Sequence, residues 1–434
     1  MKHKALSVFI FITLALLAIL MIISEKSLRS DSIYFLLQVF DGRWFHHDAP
    51  SIRLSNYLIQ FPLVLTLNLI PSLELSMARE IYSASYVVFI YAFGFYFLSE
   101  YIKRRSQYSI FALCVFFTTI LPGNNLVLNI ANETILWSLL LLKKYCDGRK
   151  NWHPSDVVVL FLITLSYETS PIVLISFLAF ELKQKQFPEA LKNPGVRWLG
   201  SALIFTVFNI VRMAFVEETR KMPHMELYFT SLLDFLKRPA HYVHFIPYAM
   251  MSWLALSQAM QLKKEKTVDI ILIVALSFYG VIIFEYGGNH SFTTAYLLRT
   301  ISVPLALILV LFATNIQQRR LEIFLLLMVA AHGSIDARAS IKHHQAWLAL
   351  LSSGERGCQR IGDLDQLERS ALSSGGIFGH SIALESIVRS SPVSQVLFYD
   401  QNSRLLLDDK GRCRRVELNI YGPTRRIGIG HLVK

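Results

Sequence analysis

Long apolar runs separated by short basic clusters recur along this chain, and this pattern constrains the fold more than any other feature. The first run, ALSVFIFITLALLAILMIIS, has about 19 apolar residues, which is long enough for one helix to cross a bilayer. Only 17% of the 434 residues are charged, whereas soluble proteins have about 25%. The abundant aromatic residues lack the alternate-residue period of an outer-membrane barrel. The sequence therefore predicts an all-α polytopic membrane protein.

Basic clusters at the ends of the apolar runs predict the topology. They lie at residues 2–4, 103–105, 143–150, 183–197, 263–266 and 319–320. If all of them face the cytoplasm, the spans between them must form out-and-back pairs. The predicted helices are 5–23, 79–101, 108–122, 125–142, 156–168, 170–182, 199–216, 242–262, 267–286, 299–316 and 320–333. About 11 transmembrane helices place the N-terminus inside and the C-terminus outside. The excess of 43 Lys+Arg over 31 Asp+Glu needs no nucleic-acid partner.

Two apolar segments allow more than one interpretation. Residues 156–182 form either one long span or two short arms, and the basic flanks with the polar turn SYETSP favour a hairpin. Counting residues 56–75 as a span would move the cluster at 103–105 outside. That segment is therefore predicted to be an amphipathic helix lying on the outer surface.

The composition changes at residue 334, which divides the chain into two predicted domains. Residues 1–333 form the transmembrane domain, with a large external loop and its surface helices at 24–78. Residues 334–434 are predicted to form a small mixed α/β soluble domain outside the membrane, with an amphipathic helix around HHQAWLALL and strands at QVLFYD, RLLLDD and RVELNI. In that oxidising compartment, Cys358 and Cys413 are expected to form a disulfide.

The first external loop concentrates residues that can carry chemistry. Its acids and bases are Asp31, Asp41, Asp48, Arg43, Arg53, His46 and His47. Such a loop could simply be solvated and ion-paired. However, Asp31 follows the first helix by only a few residues, which places a carboxylate near the membrane surface. There it could take a proton from the hydroxyl group of an acceptor.

This loop resembles the first luminal loop of the GT-C glycosyltransferases, most closely the protein O-mannosyltransferase and aminoarabinose-transferase type. The matching features occur in the order Asp31, the amphipathic IYFLLQVF, Gly42, Trp44-Phe45, Asp48, Pro50 and an apolar surface helix. The chain has SD where that group has Asp-Glu, and DAPS where it has a His-Pro-Pro run. The odd number of spans, the large first external loop and the external C-terminal domain also resemble that family.

The resemblance implies transfer of a sugar from a polyprenyl-phosphate donor to an acceptor at the external leaflet. Asp31 would be the general base, and Asp48 would help to position the substrates. The phosphate leaving group gains negative charge, which cationic side chains can stabilise. The candidates are Arg299 first, then Arg220, Lys221 and His290, with Arg43 and Arg53 in the loop itself. A snorkelling interfacial arginine is the alternative for Arg299.

Three further acids lie at the predicted external ends of helices. Glu168, at the tip of the short hairpin, could bind an acceptor hydroxyl or a metal, or it could cap the turn. Glu133 and Glu285 are expected to be structurally paired, because an unpaired charge at membrane depth is costly. A divalent cation such as Mg²⁺ or Mn²⁺ held by Asp31 and Glu168 is compatible with the sequence. The pairs His46-His47 and His343-His344 lack the spacing typical of metal ligands.

The leading hypothesis is thus a glycosyltransferase of the bacterial inner membrane. Its partners would be a polyprenyl-phosphate-linked sugar, membrane lipids and a lipid, glycan or protein acceptor. An O-antigen polymerase or ligase is a second enzymatic hypothesis, although its large external loop usually lies late in the chain. A transporter or flippase would instead have charges and broken helices in the middle of the membrane. A noncatalytic membrane scaffold is also compatible with the sequence.

Overall fold

The computed structural model describes most of the N-terminal half of the chain and separate segments of the remainder. The described residues are 3–25, 28, 31–45, 54–120, 130–147, 149, 151–166, 170–183, 193–216, 246–247, 249–250, 253, 318–352, 357–360, 389, 396–399, 403–407, 413–418 and 425–428. The main helices are α1 (His3–Ile23), α2 (Asp31–Gly42), α3 (Leu54–Leu69), α4 (Leu75–Arg104), α5 (Gln107–Val115), α6 (Ile130–Cys146), α7 (Pro154–Thr164), α8 (Ser170–Lys183), α9 (Pro194–Val216) and α10 (Gln318–Ser352). The described part of the chain is therefore mainly helical, as predicted.

Within these residues, three helices are long and apolar enough to cross a membrane. They are Lys4–Ile23 in α1, Leu75–Arg104 in α4 and Gln318–Leu351 in α10. At 1.5 Å per residue even the shortest is about 30 Å long, which equals the thickness of the hydrocarbon core. The spans predicted at 267–286 and 299–316 lie outside the described residues, as does most of 242–262. The total of about 11 spans stays a prediction.

The helix α1 packs against both α4 and α10, and α5 also packs against α4 and α10. Gly94 of α4 lies at a close approach, because a Cβ atom there would be 2.9 Å from Phe116 Cζ and 3.2 Å from Leu14 Cδ2. Phe116 begins a π-helical turn, Phe116–Ile120, which continues α5. The core therefore lies between α1, α4, α5 and α10, and it depends on the missing side chain at Gly94.

The boundary between α4 and α5 follows from local backbone chemistry. Arg105 adopts a left-handed conformation with φ of 47°, and its N–H donates to the Tyr101 carbonyl oxygen. Ser106 then caps α5, because the Ser109 N–H donates to Ser106 Oγ at 3.2 Å. A left-handed residue followed by a serine cap is a common way to end one helix and begin the next.

The segment 156–182 contains two helices rather than one long span, as the sequence favoured. Its arms, α7 and α8, are only 11 and 14 residues long. These lengths correspond to about 16 and 21 Å, which is less than the hydrocarbon thickness of about 30 Å. Ser170, the first residue of α8, contacts the end of α7, since its Oγ donates to the Ile163 carbonyl oxygen at 2.6 Å.

The helix α3 has an orientation that the sequence did not predict. Its polar residues Asn56 and Gln60 are buried together with some of its apolar residues, whereas the face directed away from the protein is apolar. The exposed apolar residues are Leu58, Phe61, Leu65 and Leu69. A surface helix in contact with water would present its polar face outwards instead. The observed arrangement suits a helix with lipid as its apolar solvent, because polar groups then turn towards the protein.

The last predicted span is longer than expected. The sequence placed it at 320–333 with a separate amphipathic helix near 343–351, but α10 continues without a break to Ser352. Gly333 is accommodated because α10 approaches α1 there, where a Cβ would be 3.3 Å from Thr13 Cγ2. The predicted domain boundary at 333/334 therefore falls inside a helix. The soluble C-terminal domain stays a prediction.

Five short strands follow α10 in the chain. They are β1 (Gly357–Arg360), β2 (Val396–Tyr399), β3 (Ser403–Leu407), β4 (Cys413–Leu418) and β5 (Arg425–Gly428). β1 and β2 pair in parallel, whereas β3, β4 and β5 form an antiparallel sheet in that order. The strands β2, β3 and β4 overlap the three runs that the sequence identified as strand-like.

Candidate functional site

Ion pairs concentrate at two opposite ends of the helix assembly. One end, called the basic end, comprises the described residues 96–104, 143–147, 149, 151–156, 181–183, 193–197 and 318–322. The other end carries the Glu25 cluster, which consists of Ser24, Glu25, Arg79, Trp347 and Arg389. Because α1 and α4 both span from one end to the other, these two charged regions lie on opposite sides of the apolar core.

Asp31 is the first residue of α2, on the same side as the Glu25 cluster. The helix that follows it is buried against α3 and α4. Its buried side chains are Ser32, Ile33, Phe35, Leu36, Leu37 and Val39. A helix N-terminus carries a partial positive charge, which favours an ionised carboxylate. The fold therefore places the backbone of Asp31 where a carboxylate is electrostatically stabilised.

The Glu25 cluster joins three distant parts of the chain. Arg79 Nε lies 2.6 Å from Glu25 Oε1, and Arg389 Nη1 donates to Glu25 Oε2 at 2.5 Å. Arg389 Nη2 also donates to the Ser24 carbonyl oxygen at 3.3 Å. The Arg389 guanidinium lies 5.4 Å from the centre of the Trp347 ring, which is a cation–π contact. Two guanidinium groups therefore share one carboxylate, and Arg389 is buried.

Sequence reasoning missed this cluster. Glu25 and Arg79 could have been noticed, since each is a charged residue directly beside a long apolar helix. Arg389 gave no comparable signal, because it lies in a polar segment 364 positions away from Glu25.

Arg43, a predicted substrate-binding residue, lies at the opposite end of α2 from Asp31. The helix has 12 residues, so the two ends are about 16 Å apart. Arg43 Nη2 donates to the Pro71 carbonyl oxygen at 2.5 Å, and its own carbonyl accepts from Asn68 Nδ2 at 3.2 Å. Arg43 thus ties the end of α2 to the turn between α3 and α4. The structure does not bring it together with Asp31.

The aromatic residues Trp44 and Phe45, which directly follow α2, lie next to α3. Trp44 and Phe45 are in edge-to-face contact with ring centroids 5.5 Å apart, and Phe45 packs against Tyr57 of α3 at 5.2 Å. Trp44 is exposed. The pair therefore contributes to the packing of α3 on one side and leaves an aromatic ring at the surface on the other.

The remaining predicted site residues lie outside the described residues. They are Asp48, Arg53, Glu168, Arg220, Lys221, His290 and Arg299. Cys358 and Cys413 are described as backbone only, in β1 and β4, which belong to different sheets. Their predicted disulfide stays a prediction.

The histidine pairs and the acids are residue types that can bind a metal ion. His343 is buried with its ring 6.5 Å from Trp347, whereas its neighbour His344 is half-buried, so the two point in different directions. Across the described segments, no group of three His, Cys, Asp or Glu side chains is arranged to hold a metal ion. Asp48 and Glu168 lie beyond those segments.

The tip of the α7–α8 hairpin reaches a polar region inside the helix assembly. Ser166 Oγ lies 2.7 Å from Thr134 Oγ1 of α6, and Ser138 Oγ donates to the Thr134 carbonyl oxygen at 2.5 Å. Glu133 is buried next to them in the first turn of α6. Thr134, Ser138 and Ser166 are all buried, so this polar region lies inside the helix assembly rather than at its surface.

A second set of buried ionisable residues lies along α10. His332 and Asp336 are one helical turn apart on α10, and both are buried. Tyr91 of α4 is also buried and interacts electrostatically with Asp336. Burial of ionisable groups inside a membrane bundle is costly and usually reflects pairing or function.

At the basic end, ion pairs join neighbouring helix ends. Lys143 Nζ contacts Glu100 Oε2 at 2.7 Å, which links α6 to α4. Lys144 Nζ lies 3.6 Å from Glu181 Oε1 of α8. Burial lowers the pKa of Lys144, although Glu181 opposes this effect. Tyr101 Oη donates to Glu322 Oε1 of α10 at 3.0 Å. Four of the six predicted basic clusters are thereby gathered at one end.

These features define a helical protein whose three long apolar helices are suited to a membrane. No protein-family model, curated protein or solved structure is significantly similar to the chain. Its function must therefore be argued from its own residues.

Proposed function

We propose that this protein is a membrane glycosyltransferase that moves a sugar from a polyprenyl-phosphate donor to a lipid, glycan or protein acceptor. The observation that carries the proposal is the position of Asp31. It begins a buried helix directly after the first membrane-length helix, at the end opposite the basic loops. This is the position of the catalytic aspartate in the GT-C family that the loop resembles.

The orientation in the membrane is part of the proposal. Basic loops are retained on the cytoplasmic side, so the basic end would face the cytoplasm. Asp31 and the Glu25 cluster would then lie at the external leaflet of a bacterial inner membrane. With about 11 spans, the C-terminal region would be periplasmic.

In the proposed reaction, the Asp31 carboxylate accepts the proton of the acceptor hydroxyl group. The hydroxyl oxygen attacks the anomeric carbon while the bond from that carbon to the phosphate oxygen breaks. A single displacement inverts the configuration of the sugar, and polyprenyl phosphate leaves with the bonding electron pair. Asp48 and Glu168 would position the substrates.

Cationic side chains would stabilise the negative charge on the leaving phosphate. The proposed set is Arg53, Arg220, Lys221, His290 and Arg299. If Asp31 and Glu168 bind Mg²⁺ or Mn²⁺, the metal ion would also stabilise this charge. In that case EDTA should abolish sugar transfer, and added metal should restore it.

The test is the substitution Asp31→Asn in the full-length protein reconstituted with a polyprenyl-phosphate sugar. Loss of a general base should reduce the rate of sugar transfer by about 100- to 10,000-fold. Asp41→Asn is the matched control, because Asp41 lies at the exposed end of the same helix. The proposal fails if the Asp31→Asn protein transfers sugar at the wild-type rate at equal protein level.

A second candidate function, a transporter or flippase, is favoured by His332, Asp336 and Tyr91. These buried groups lie inside the helix assembly, where substrate pathways and proton relays of transporters are found. An Asp336→Asn variant separates the two functions. Loss of lipid translocation across vesicles with no sugar transferred would favour the transporter, whereas sugar transfer that survives the substitution would favour the glycosyltransferase.

A further inference from the structure

A cavity opens at the basic end, away from Asp31 and the Glu25 cluster. Its volume is about 680 Å³. It is enclosed by the ends of α4, α6 and α7, and its lining residues that bear on ligand binding are Tyr96, Arg104, Lys143, Asp147, Arg149 and Asp156. Leu140 and Val159 complete the wall on the side of the helix core.

Cations and carboxylates are balanced around this cavity. Arg104 Nη1 lies 3.3 Å from Asp147 Oδ2, and Arg149 Nη2 lies 3.2 Å from Asp156 Oδ1. Lys143 pairs with Glu100, which lies behind the lining. A purely anionic ligand would gain from the cations but would be repelled by the carboxylates. The charges therefore suit a ligand that carries both signs.

The Arg104–Asp147 pair at the mouth of the cavity is more exposed to solvent than the Lys143–Glu100 pair behind it. Arg104 is 56% exposed and Asp147 is 25% exposed, so their contact is worth only about 0–1 kcal/mol. Lys143 is mostly buried and is held by both Glu100 and the Tyr96 hydroxyl, at 2.7 and 2.9 Å. A ligand can therefore replace the Arg104–Asp147 contact at little cost, whereas Lys143 stays in place.

The two carboxylates also differ in availability. Asp156 Oδ2 accepts the His153 backbone N–H at 2.9 Å at the start of α7, so Asp156 is already used as a helix cap. Asp147 lies just after α6 and has only the exposed Arg104 near it among the described contacts. Asp147 is thus the better partner for a positively charged group of a ligand.

We propose that this cavity binds the headgroup of a phospholipid with a primary amine, such as phosphatidylethanolamine. The phosphate would pair with the Arg104 and Arg149 guanidinium groups, and the ammonium would donate to Asp147. The acyl chains would leave beside Val158 and Phe161, which are exposed apolar residues of α7. A basic pocket between helices at the cytoplasmic side is a common place for lipid headgroups.

This assignment predicts a defined order among lipids. Phosphatidylglycerol lacks the cation that Asp147 would accept. Phosphatidylcholine has a cation, but its quaternary ammonium has no N–H to donate. Lipid binding at this cavity does not depend on sugar transfer. The lipid proposal can therefore be wrong while the proposed enzymatic function is right, and the enzymatic function can be wrong while the lipid proposal is right.

The experiment is native mass spectrometry of the full-length protein after delipidation, with each of the three lipids added in equal amount. Phosphatidylethanolamine should be retained roughly fivefold more than either of the others. Asp147→Asn should remove this preference and favour phosphatidylglycerol, because the cavity then has an excess positive charge. Glu80→Gln, an exposed acid of α4 at the other end, is the matched control and should keep the preference.

Arg149→Gln provides an independent test of the phosphate contact. It should lower retention of phosphatidylethanolamine by roughly fivefold, whereas Arg197→Gln, an exposed arginine of α9 outside the lining, should not. Equal retention of all three lipids by the wild-type protein would overturn the proposal, as would tighter binding of phosphatidylglycerol. Because Asp147 is an exposed loop residue, its substitution leaves the fold intact and the test remains decisive.

Discussion

The basic end and the Glu25 cluster are both built from arginine and carboxylate pairs, yet they differ in how the chain reaches them. At the basic end, Arg104 and Asp147 are 43 positions apart and exposed. In the Glu25 cluster, Arg389 contacts Glu25 across 364 positions and is buried. The Arg104–Asp147 pair joins helix ends that are close in the chain, whereas the Glu25 cluster joins the beginning of the chain to its C-terminal region.

This difference in burial predicts a difference in energy. Exposed pairs contribute little because water already solvates both charges. Removing one partner of a buried pair leaves an uncompensated charge, which costs several kcal/mol. The exposed Arg104–Asp147 pair should therefore tolerate substitution, while the Glu25 cluster should not.

The largest expected effect concerns the side of the membrane on which each end lies. In a variant with Cys146 as the only cysteine, a membrane-impermeant thiol reagent should label inverted vesicles and not intact spheroplasts, because Cys146 is exposed at the basic end. A cysteine-free protein carrying Trp44→Cys should give the opposite result, since Trp44 is exposed just after α2, near the turn between α3 and α4. Labelling of both positions from one side would overturn the proposed orientation.

The Glu25 cluster should be much more sensitive to substitution than the Arg104–Asp147 pair. Glu25→Gln leaves the Arg79 and Arg389 guanidinium groups together without their carboxylate, which should cost about 3–5 kcal/mol of unfolding free energy. Thermal unfolding in detergent would measure this. The triple variant Arg79→Met, Glu25→Leu, Arg389→Met is the control, because apolar replacement of a whole buried network is often nearly neutral. If Glu25→Gln unfolds like the wild type, the cluster contributes no stability.

The core between the two ends should show an intermediate effect. Gly94→Val would place a side chain against Phe116 and Leu14, at a point where a Cβ alone would be 2.9 Å from the Phe116 ring. Overpacking of this kind costs about 1–3 kcal/mol. Gly200→Val on α9, where a Cβ would meet nothing within 4 Å, is the matched control for the change in helix propensity. Equal unfolding temperatures for the two variants would contradict the close packing of α1, α4 and α5.

The smallest effect is expected at the basic end. Arg104→Gln removes an exposed guanidinium that lies 3.3 Å from Asp147, so the unfolding free energy should fall by less than about 1 kcal/mol. Repeating the measurement in high salt should remove even this difference, because salt screens exposed charges. A loss as large as that of Glu25→Gln would show that the two ends do not differ as their burial implies.

Much of the helical architecture could be predicted from the sequence, because apolar runs report helices directly. The helices near 5–23, 79–101 and 170–182 are present within a few residues. The continuity of α10 between residues 333 and 343 could not be predicted in this way, since the polar residues there carry no apolar signal. The orientation of α3 was also hidden, because an amphipathic pattern does not reveal whether water or lipid covers the outer face.

For the candidate site, the sequence identified Asp31 by its position after the first apolar run. It also placed Arg43 in the same constellation, but α2 holds the two at opposite ends of a helix. The distance between two residues of a predicted loop cannot be derived from the sequence, whereas a helix fixes the rise at about 1.5 Å per residue. Their separation follows from that geometry.

The sequence by itself determined the class of the protein and the collection of basic residues at one end. These depend on local composition, because each apolar run and each basic cluster is continuous in the chain. Only the tertiary structure decided that Arg389 meets Glu25 and that Arg104, Asp147 and Arg149 enclose a cavity. Such contacts depend on how separate elements pack, since polar side chains distant in sequence carry no pattern that identifies their partners.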